Sequence, residues 1–325
     1  MKSTAIANSN IAFIKYWGRK NEELRLPTNG SVSMTLSDLT TTTTVEFSNK
    51  FVEDYVEIDG KVDEKDTKRI IKHIDRIRKL AELNQKTKII SKNNFPSSTG
   101  LSSSASGFAA LTVAATNAAG LNLSKKELSI LSRQGSGSSC RSIHGGFVEW
   151  LDGDSSDESY SEQIHDENHW DLYDIIAVVS KEKKEVPTSI GQTYANTSPF
   201  FKTRKNYMKE RIELCKKYIE EKDFTKFGEL IEHEALDMHA IMISSIPSLI
   251  YWTPESLKIM KLVKKWRNEG LQVYFTVNTG QDVHVICEKE NKEKLIEKLN
   301  NLDFVKEIRQ NHAGQGARLI EEHLF

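Results

Sequence analysis

Residues 93–120, NNFPSSTGLSSSASGFAALTVAATNAAG, carry the reading on which the fold turns. Pro96 and Gly100 interrupt whatever precedes them; a run of small residues with helical composition follows, and Gly120 stops it. Its first part, PSSTGLSSSAS (96–106), is a serine-rich turn that opens a helix. The first N–H groups of a helix lack internal partners and carry partial positive charge. Gly100 lets the backbone come close to a ligand, and Ser102, Ser103 and Ser104 add hydroxyl donors, so the turn predicts a phosphate cradle. The plainer reading is an N-cap followed by a tightly packed helix. No G-x-x-x-x-G-K-[ST] occurs, which excludes a P-loop of the Walker type.

Two other stretches point the same way. IAFIKYWGRK (11–20) surrounds an apolar strand with Lys15, Arg19 and Lys20, either solvated charges at a strand exit or cations delivered to an anionic substrate. RQGSGSSCRSIHGGF (133–147) sets one cation, Arg141, among small residues beside an apolar strand. Such a loop wraps an anion with N–H groups, hydroxyls and a bidentate guanidinium. Other patterns carry less: HEALDMH (233–239) has the wrong spacing for a zinc-protease helix, HDENH (165–169) sits in acidic sequence, and Cys140 reads as a small buried residue rather than a nucleophile.

Around these motifs the pattern predicts a strand at 5–15, a small antiparallel set over 31–62 with a turn at Asp59-Gly60, an amphipathic helix at 64–83 and a strand at 86–91. Ser124 with Glu127 is a capping box for a helix at 125–133, and 145–151 is a strand. Residues 151–170 lack Lys and Arg and read as an exposed loop. A buried strand at 172–180 precedes helices at 199–220, 223–243 and 254–269; strands at 271–278 and 283–288, a helix at 291–299, a short strand near 303–308 and GARLIEE (316–322) close the chain. This order is α+β, with two domains, 1–183 and 184–325.

The 325 residues carry 45 Lys and Arg against 46 Asp and Glu, a net charge of −1. That balance argues against a nucleic-acid partner, whose affinity needs massed cations. No apolar run approaches the roughly 20 residues that span a bilayer, so no membrane partner is expected. Three cysteines without a C-x-x-C pair suggest neither a disulfide scaffold nor a zinc site, and a cytoplasmic enzyme with reduced thiols is the expectation.

NIAFIKYWGRK, LPTNGSVSMTL (26–36), the serine-rich segment, GSGSSCRSIHGGFVEW (135–150), FTVNTG (275–280) and MHA (238–240) together resemble, in order and spacing, the diphosphomevalonate decarboxylases of the GHMP kinase superfamily. The resemblance covers nearly the whole chain. It implies an N-terminal domain like ribosomal protein S5 domain 2, with a left-handed β-α-β unit, a ferredoxin-like C-terminal domain, and a cleft between them. It implies ATP with Mg²⁺, a phosphorylated mevalonate substrate and a homodimer, with no protein-bound resident metal. ATP phosphorylates the 3-hydroxyl; phosphate and carbon dioxide then leave, giving isopentenyl diphosphate. The resemblance puts Lys15, Arg141 and the position of Asn278 at the reacting end. It puts Tyr16, Trp17, Gly18, Arg19, Arg69, Ser136, Gly137, Ser138, Ser139, Cys140 and Thr197 around the substrate. Asn10, Gly100, Ser102, Ser103 and Ser104 fall to the nucleotide.

One stretch departs from that pattern. Where the family carries D-A-G-P-N, this chain reads NTGQD (278–282), with Asn278 at the aspartate position. An amide has nearly the same shape but cannot be a general base, and Lys15 loses a charge partner. Several readings therefore stay open beside the ATP-dependent decarboxylase. They are a decarboxylase of mevalonate 3,5-bisphosphate or 5-phosphate giving isopentenyl phosphate, a 3-kinase that stops before decarboxylation, another small-molecule kinase of the superfamily, and a non-catalytic binder of nucleotides or isoprenoid diphosphates.

Overall fold

The computed structural model describes residues 1–95, 103–180, 182 and 184–325, so the expectations on Gly100 and Ser102 lie outside the described residues. In chain order the elements begin with strands β1 (Lys2–Ile14), β2 (Arg19–Asn21), β3 (Leu26–Pro27), β4 (Ser31–Ser48) and β5 (Tyr55–Ile58). There follow helix α1 (Glu64–Ala81), β6 (Lys86–Asn93), α2 (Ser103–Ala118), α3 (Lys125–Gly135), a 3₁₀ segment (Gly137–Ile143), β7 (Phe147–Trp150), β8 (Ser161–His165) and β9 (Leu172–Val178). The remainder is α4 (Thr188–Gly191), a second 3₁₀ segment (Gln192–Thr197), α5 (Phe201–Glu221), α6 (Phe224–Ile243), α7 (Pro254–Asn268), β10 (Tyr274–Thr276), β11 (Val283–Glu288), α8 (Lys292–Asn300), β12 (Glu307–His312) and β13 (Arg318–Ile320).

The α+β expectation holds. A seven-stranded sheet runs β13-β1-β4-β6-β5, with β7 on β4 and β8 on β7, and a second sheet runs β10-β11-β9-β12. The spine of the first is β4, 18 residues long. Its threonine run lies between β1 and β6, and its buried hydroxyls are paired: Thr44 with Thr4 at 2.7 Å, Thr43 with Ser91 at 2.8 Å, and Thr41 with Ser106 at 2.7 Å. β-Branched residues suit the pleat, and each paired hydroxyl avoids the cost of a lone buried polar group. β9 precedes the expected domain junction in sequence but lies in the second sheet, whereas β13 returns from the far end of the chain to pair with β1.

Three local readings are corrected. The expected antiparallel set over 31–62 fails because β5 pairs with β6 in parallel. Residues 151–170 are no exposed loop: they contain β8, and Ser159, Ser161 and Trp170 are buried. Absence of cations does not mean exposure when the polar groups are satisfied. Ser161 donates to the Cys140 carbonyl at 2.5 Å, and Trp150 Nε1 donates to Ser159 Oγ at 3.0 Å. The strand expected near 303–308 runs Glu307–His312, because its partner β9 sets the register.

Helix signals were legible. The Ser124–Glu127 capping box is formed, and Gly120 (φ +76°) and Gly270 (φ +94°) sit just past helix ends. The alanines of α2 let it press flat on the first sheet, where Ala109, Ala110, Ala114 and Ala115 join Ala5, Ala7, Val45 and the α1 isoleucines Ile70, Ile74 and Ile77 in one core. A second core joins Ile11, Phe13 and Ile14 of β1 to Met208 and Ile212 of α5, Phe227 and Ile231 of α6, and Ile176 of β9. Each such side chain contributes about 1.5–3 kcal/mol by burial. Together these cores bring the C-terminal end of β1, the start of α2 and the β10–β11 turn around one space.

Candidate active site

That space is a cavity of about 320 Å³. Lys15, Arg19, Arg25, Arg69, Arg141 and Lys184 line it, against Asp66 as the acidic group among the described lining residues. Arg19 is ion-paired with Glu22 at 2.5 Å, and the cations in excess of the lining carboxylate stabilise an anionic ligand and repel one another in its absence.

Lys15 is the first residue past β1 and is 3 % exposed. Its Nζ donates to the Ala12 carbonyl and lies 3.4 Å from Asn278 Oδ1. Burial pushes its ammonium down to about 7; Glu234 pulls the other way, and Arg141 and Arg204 add to the depression. The backbone turns at Gly18 (φ +92°), where a Cβ would meet the Phe201 ring at 2.5 Å, and the Gly18 N–H donates to Gln192 Oε1 at 2.6 Å.

Arg141 lies in the 3₁₀ segment after α3, 3 % exposed. It donates to Ser31 Oγ at 2.7 Å and to Asn10 Oδ1 at 3.0 Å, while its buried Nε has no partner among the described residues. The Nε of Arg19 is likewise buried and unpartnered. Two orphaned guanidinium donors fit a multiply charged oxyanion. Tyr16 packs edge-on against Trp150 with ring centroids 4.7 Å apart, and Gly137 lies so close to it that a Cβ there would stand 2.6 Å from the phenol oxygen. Arg69 spans the Phe108 ring at 4.4 Å and donates to the Gly135 carbonyl at 3.2 Å; burial pushes its guanidinium down to about 10.

Ser103 and Ser104 line the cavity at the start of α2, and Ser136 Oγ donates to Ser104 Oγ at 3.2 Å. One turn on, a Cβ added at Gly107 would meet nothing within 4 Å, so the helix face is open to the cavity there. Helix N–H groups, serine hydroxyls and open space beside cations fit a nucleotide's phosphates. Among the described residues no group of three or more His, Cys, Asp or Glu could hold a metal ion.

The structure brings Asn10, Lys15, Tyr16, Trp17, Arg19, Arg69, Ser103, Ser104, Ser136, Gly137, Ser138, Arg141 and Asn278 to the cavity. Four expected residues do not line it. Gly18 supports the turn behind it. Ser139 is buried and donates to the Ser136 carbonyl at 2.6 Å. Cys140 is buried with its thiol against the Gly137 carbonyl at 3.1 Å, and burial pushes it up to about 12, as befits an inert thiol. Thr197 is exposed, its hydroxyl donating to the Tyr194 carbonyl at 2.6 Å.

Sequence reading missed Lys184, Thr188, Ser189 and Gln192, which enter from the segment between β9 and α5. Lys184 Nζ donates to Thr188 Oγ1 at 2.7 Å and to the Thr279 carbonyl at 2.9 Å, and burial pushes it down to about 8. The sequence there, KEKKEVP (181–187), mixes three lysines with two glutamates, and such a stretch reads as solvated charge.

Comparison with known proteins gives the family and the fold. The family "Diphosphomevalonate decarboxylase-like N-terminal domain" matches residues 7–161, and "Mevalonate 5-diphosphate decarboxylase C-terminal domain" matches residues 174–322. The diphosphomevalonate decarboxylase of Candida albicans is 38 % identical over 312 residues, covering 90 % of this chain and 86 % of that protein. A solved structure of the mevalonate diphosphate decarboxylase from Enterococcus faecalis, described as showing mevalonate diphosphate mediated ATP binding, superposes with a TM-score of 0.93 at 38 % identity over 99 % of both chains. A structure of MDDEF in complex with MVAPP, AMPPCP and magnesium gives the same TM-score, 0.93, at 38 % identity over 99 % of both chains.

Proposed function

The chain belongs to the diphosphomevalonate decarboxylase family, and from that premise we propose that it is a carboxy-lyase using ATP and Mg²⁺ to convert mevalonate 5-diphosphate to isopentenyl diphosphate. The observation that carries this reading is the cavity itself, where Lys15, Arg141 and Lys184 converge beside the start of α2. When bound, ATP with Mg²⁺ supplies the phosphoryl group that makes the 3-oxygen a leaving group. Ser103, Ser104 and the adjoining helix N–H groups would hold its phosphates.

Arg19, Arg69, Tyr16 and the Ser136–Ser138 backbone receive the 5-diphosphate. Arg141 and Lys15 meet the substrate carboxylate and the oxygen on C3. As the C3–O bond breaks, positive charge grows on a tertiary carbon, and electrons from the departing carboxylate form the new double bond. Buried, preorganised donors stabilise that separation of charge without reorganising.

Asn278 is compatible with this chemistry. Phosphoryl transfer passes through a loose transition state in most analyses, so the attacking hydroxyl gives up its proton late and catalysis rests on positioning and electrostatics. The amide at 278 orients the Lys15 ammonium through its oxygen without supplying a base.

The test offers mevalonate 5-phosphate, 5-diphosphate and 3,5-bisphosphate, each with and without ATP–Mg²⁺, and follows carbon dioxide, phosphate and ADP. Equal release of all three from the 5-diphosphate, dependent on ATP, is expected. Carbon dioxide from the bisphosphate alone identifies an ATP-independent decarboxylase, ADP without carbon dioxide a kinase, and ligand binding with no product a binder.

A further inference from the structure

The Lys15 backbone is held by side chains on both sides. Its N–H donates to Glu234 Oε1 at 3.1 Å, and its carbonyl accepts from Arg204 Nη2 at 3.0 Å and from Asn29 Nδ2 at 3.1 Å. Glu234 is fully buried on α6 and is itself fixed by Arg204 at 2.5 Å and Arg211 at 2.7 Å, both on α5. Asp237, one helical turn on, completes the group: Arg211 reaches it at 3.0 Å, Arg204 also bonds it, and Tyr207 donates its hydroxyl at 2.8 Å. Two guanidiniums thus balance two carboxylates in a closed lattice.

The same helix holds the other reacting residue. His239 Nε2 donates to the backbone carbonyl of Asn278 at 2.9 Å, its ring stacked on Trp252 with centroids 4.4 Å apart. The HEALDMH stretch, wrong for a metal, thus has a use: Glu234 reaches the end of β1 and His239 reaches the turn after β10. The Lys15–Asn278 pair is spanned by one rigid element.

We propose that Glu234 and His239 are positioning residues that fix Lys15 and Asn278 against each other from α6, and that Glu234, in place of a side chain at 278, is the carboxylate that keeps the Lys15 ammonium charged. The inference rests on the functional reading of Lys15 given above. The charged and titratable groups around that ammonium are Glu234 and His239 of α6, Arg204 and Cys215 of α5, Arg141 of the 3₁₀ segment and Asp174 of β9. Glu234 and Asp174 raise its proton affinity, Glu234 more strongly, and of these two carboxylates Glu234 is the one that also bonds the Lys15 backbone. His239 is driven down to about 3 by burial and stays a neutral donor throughout the working range.

The experiment compares the wild type, Glu234→Gln, Asn278→Asp and the double variant. It measures the pH profile of kcat/KM, the nucleotide-free Kd for mevalonate 5-diphosphate, and Tm. With Glu234→Gln the basic limb moves down by about one pH unit, and substrate affinity above pH 7 falls with it. Adding Asn278→Asp moves the limb back up, because a second carboxylate replaces the lost charge. A limb that stays in place, or no rescue by Asn278→Asp, overturns the proposal. Should Glu234→Gln not fold, Glu234→Asp keeps the charge but draws it off the Lys15 N–H. The limb then stays while kcat falls about tenfold, and an unchanged kcat in the folded variant overturns the clamp. Lys15→Met with full turnover overturns the functional reading and the clamp with it; an inactive Lys15→Met beside an unmoved Glu234→Gln limb overturns the clamp alone.

Discussion

Lys15 Nζ stands 3.4 Å from the Asn278 side-chain oxygen, an ammonium facing a neutral amide in the cavity wall. Burial already depresses its proton affinity to about 7, so its charge state turns over within the working range of pH. The charged form serves the proposed reaction, so kcat/KM of the free enzyme falls as pH rises through about 7. Asn278→Asp adds a negative charge at hydrogen-bond range and shifts that basic limb upward by about one unit, with Tm little changed. A pH-rate series on both enzymes checks this.

Arg141 is a buried cation whose described hydrogen bonds go to neutral oxygens of Ser31 and Asn10. Its folding benefit is small, because desolvation offsets those bonds, whereas its benefit to an anion is large. Arg141→Ala lowers turnover by at least about 10²-fold while Tm moves by only a few degrees. Paired kinetics and calorimetry decide; a structural arginine gives the reverse pattern.

Gly137 leaves room for the Tyr16 hydroxyl, which a Cβ would approach to 2.6 Å. Gly137→Ala pushes the phenol, the free end of its side chain, out of place. KM for the phosphorylated substrate rises about tenfold with a smaller change in kcat, as expected when uniform binding is lost. Steady-state kinetics with ATP saturating separates the two parameters.

His73 is fully buried against Thr112, with Nε2 2.9 Å from the hydroxyl, and burial holds it down to about 3. Its folded form stays neutral while the unfolded chain takes up a proton below about 6.5. The unfolded state therefore binds more protons between about 6.5 and 3, and the stability owed to a neutral His73 is lost progressively as pH falls through that window. The cost is up to about 1.4 kcal/mol per pH unit. His73→Asn is less stable at pH 7 yet loses less stability between pH 7 and 5, which urea denaturation at the two pH values measures.

Phe108 packs on His73 and lies beneath the Arg69 guanidinium, with a centroid distance of 5.5 Å to the imidazole and 4.4 Å to the guanidinium. Phe108→Ala opens a cavity between α1, α2 and α3 and costs about 3–5 kcal/mol. It also frees Arg69, so substrate affinity falls in the fraction that remains folded. Thermal melts and ligand titration read the two effects separately.

The sequence alone determined what depends on near neighbours. Caps at Ser124 and stops at Gly120 and Gly270 act within one helical turn, and the segments carrying Lys15, Ser103 and Arg141 pointed by composition to the cavity they line. The family was legible because those segments recur together in one order. Tertiary structure decided what depends on distant partners. β5 lies parallel to β6 and β9 enters the second sheet because pairing is chosen by available edges, and strand composition carries no such direction. Lys184, which the sequence marks only as the expected start of the second domain, becomes a cavity cation because the surrounding protein desolvates it. Glu234 looks in sequence like one acid among many on α6; only the approach of β1 makes it the partner of Lys15. Charge, burial and reach combine there across 219 residues of chain, and no local pattern encodes that sum.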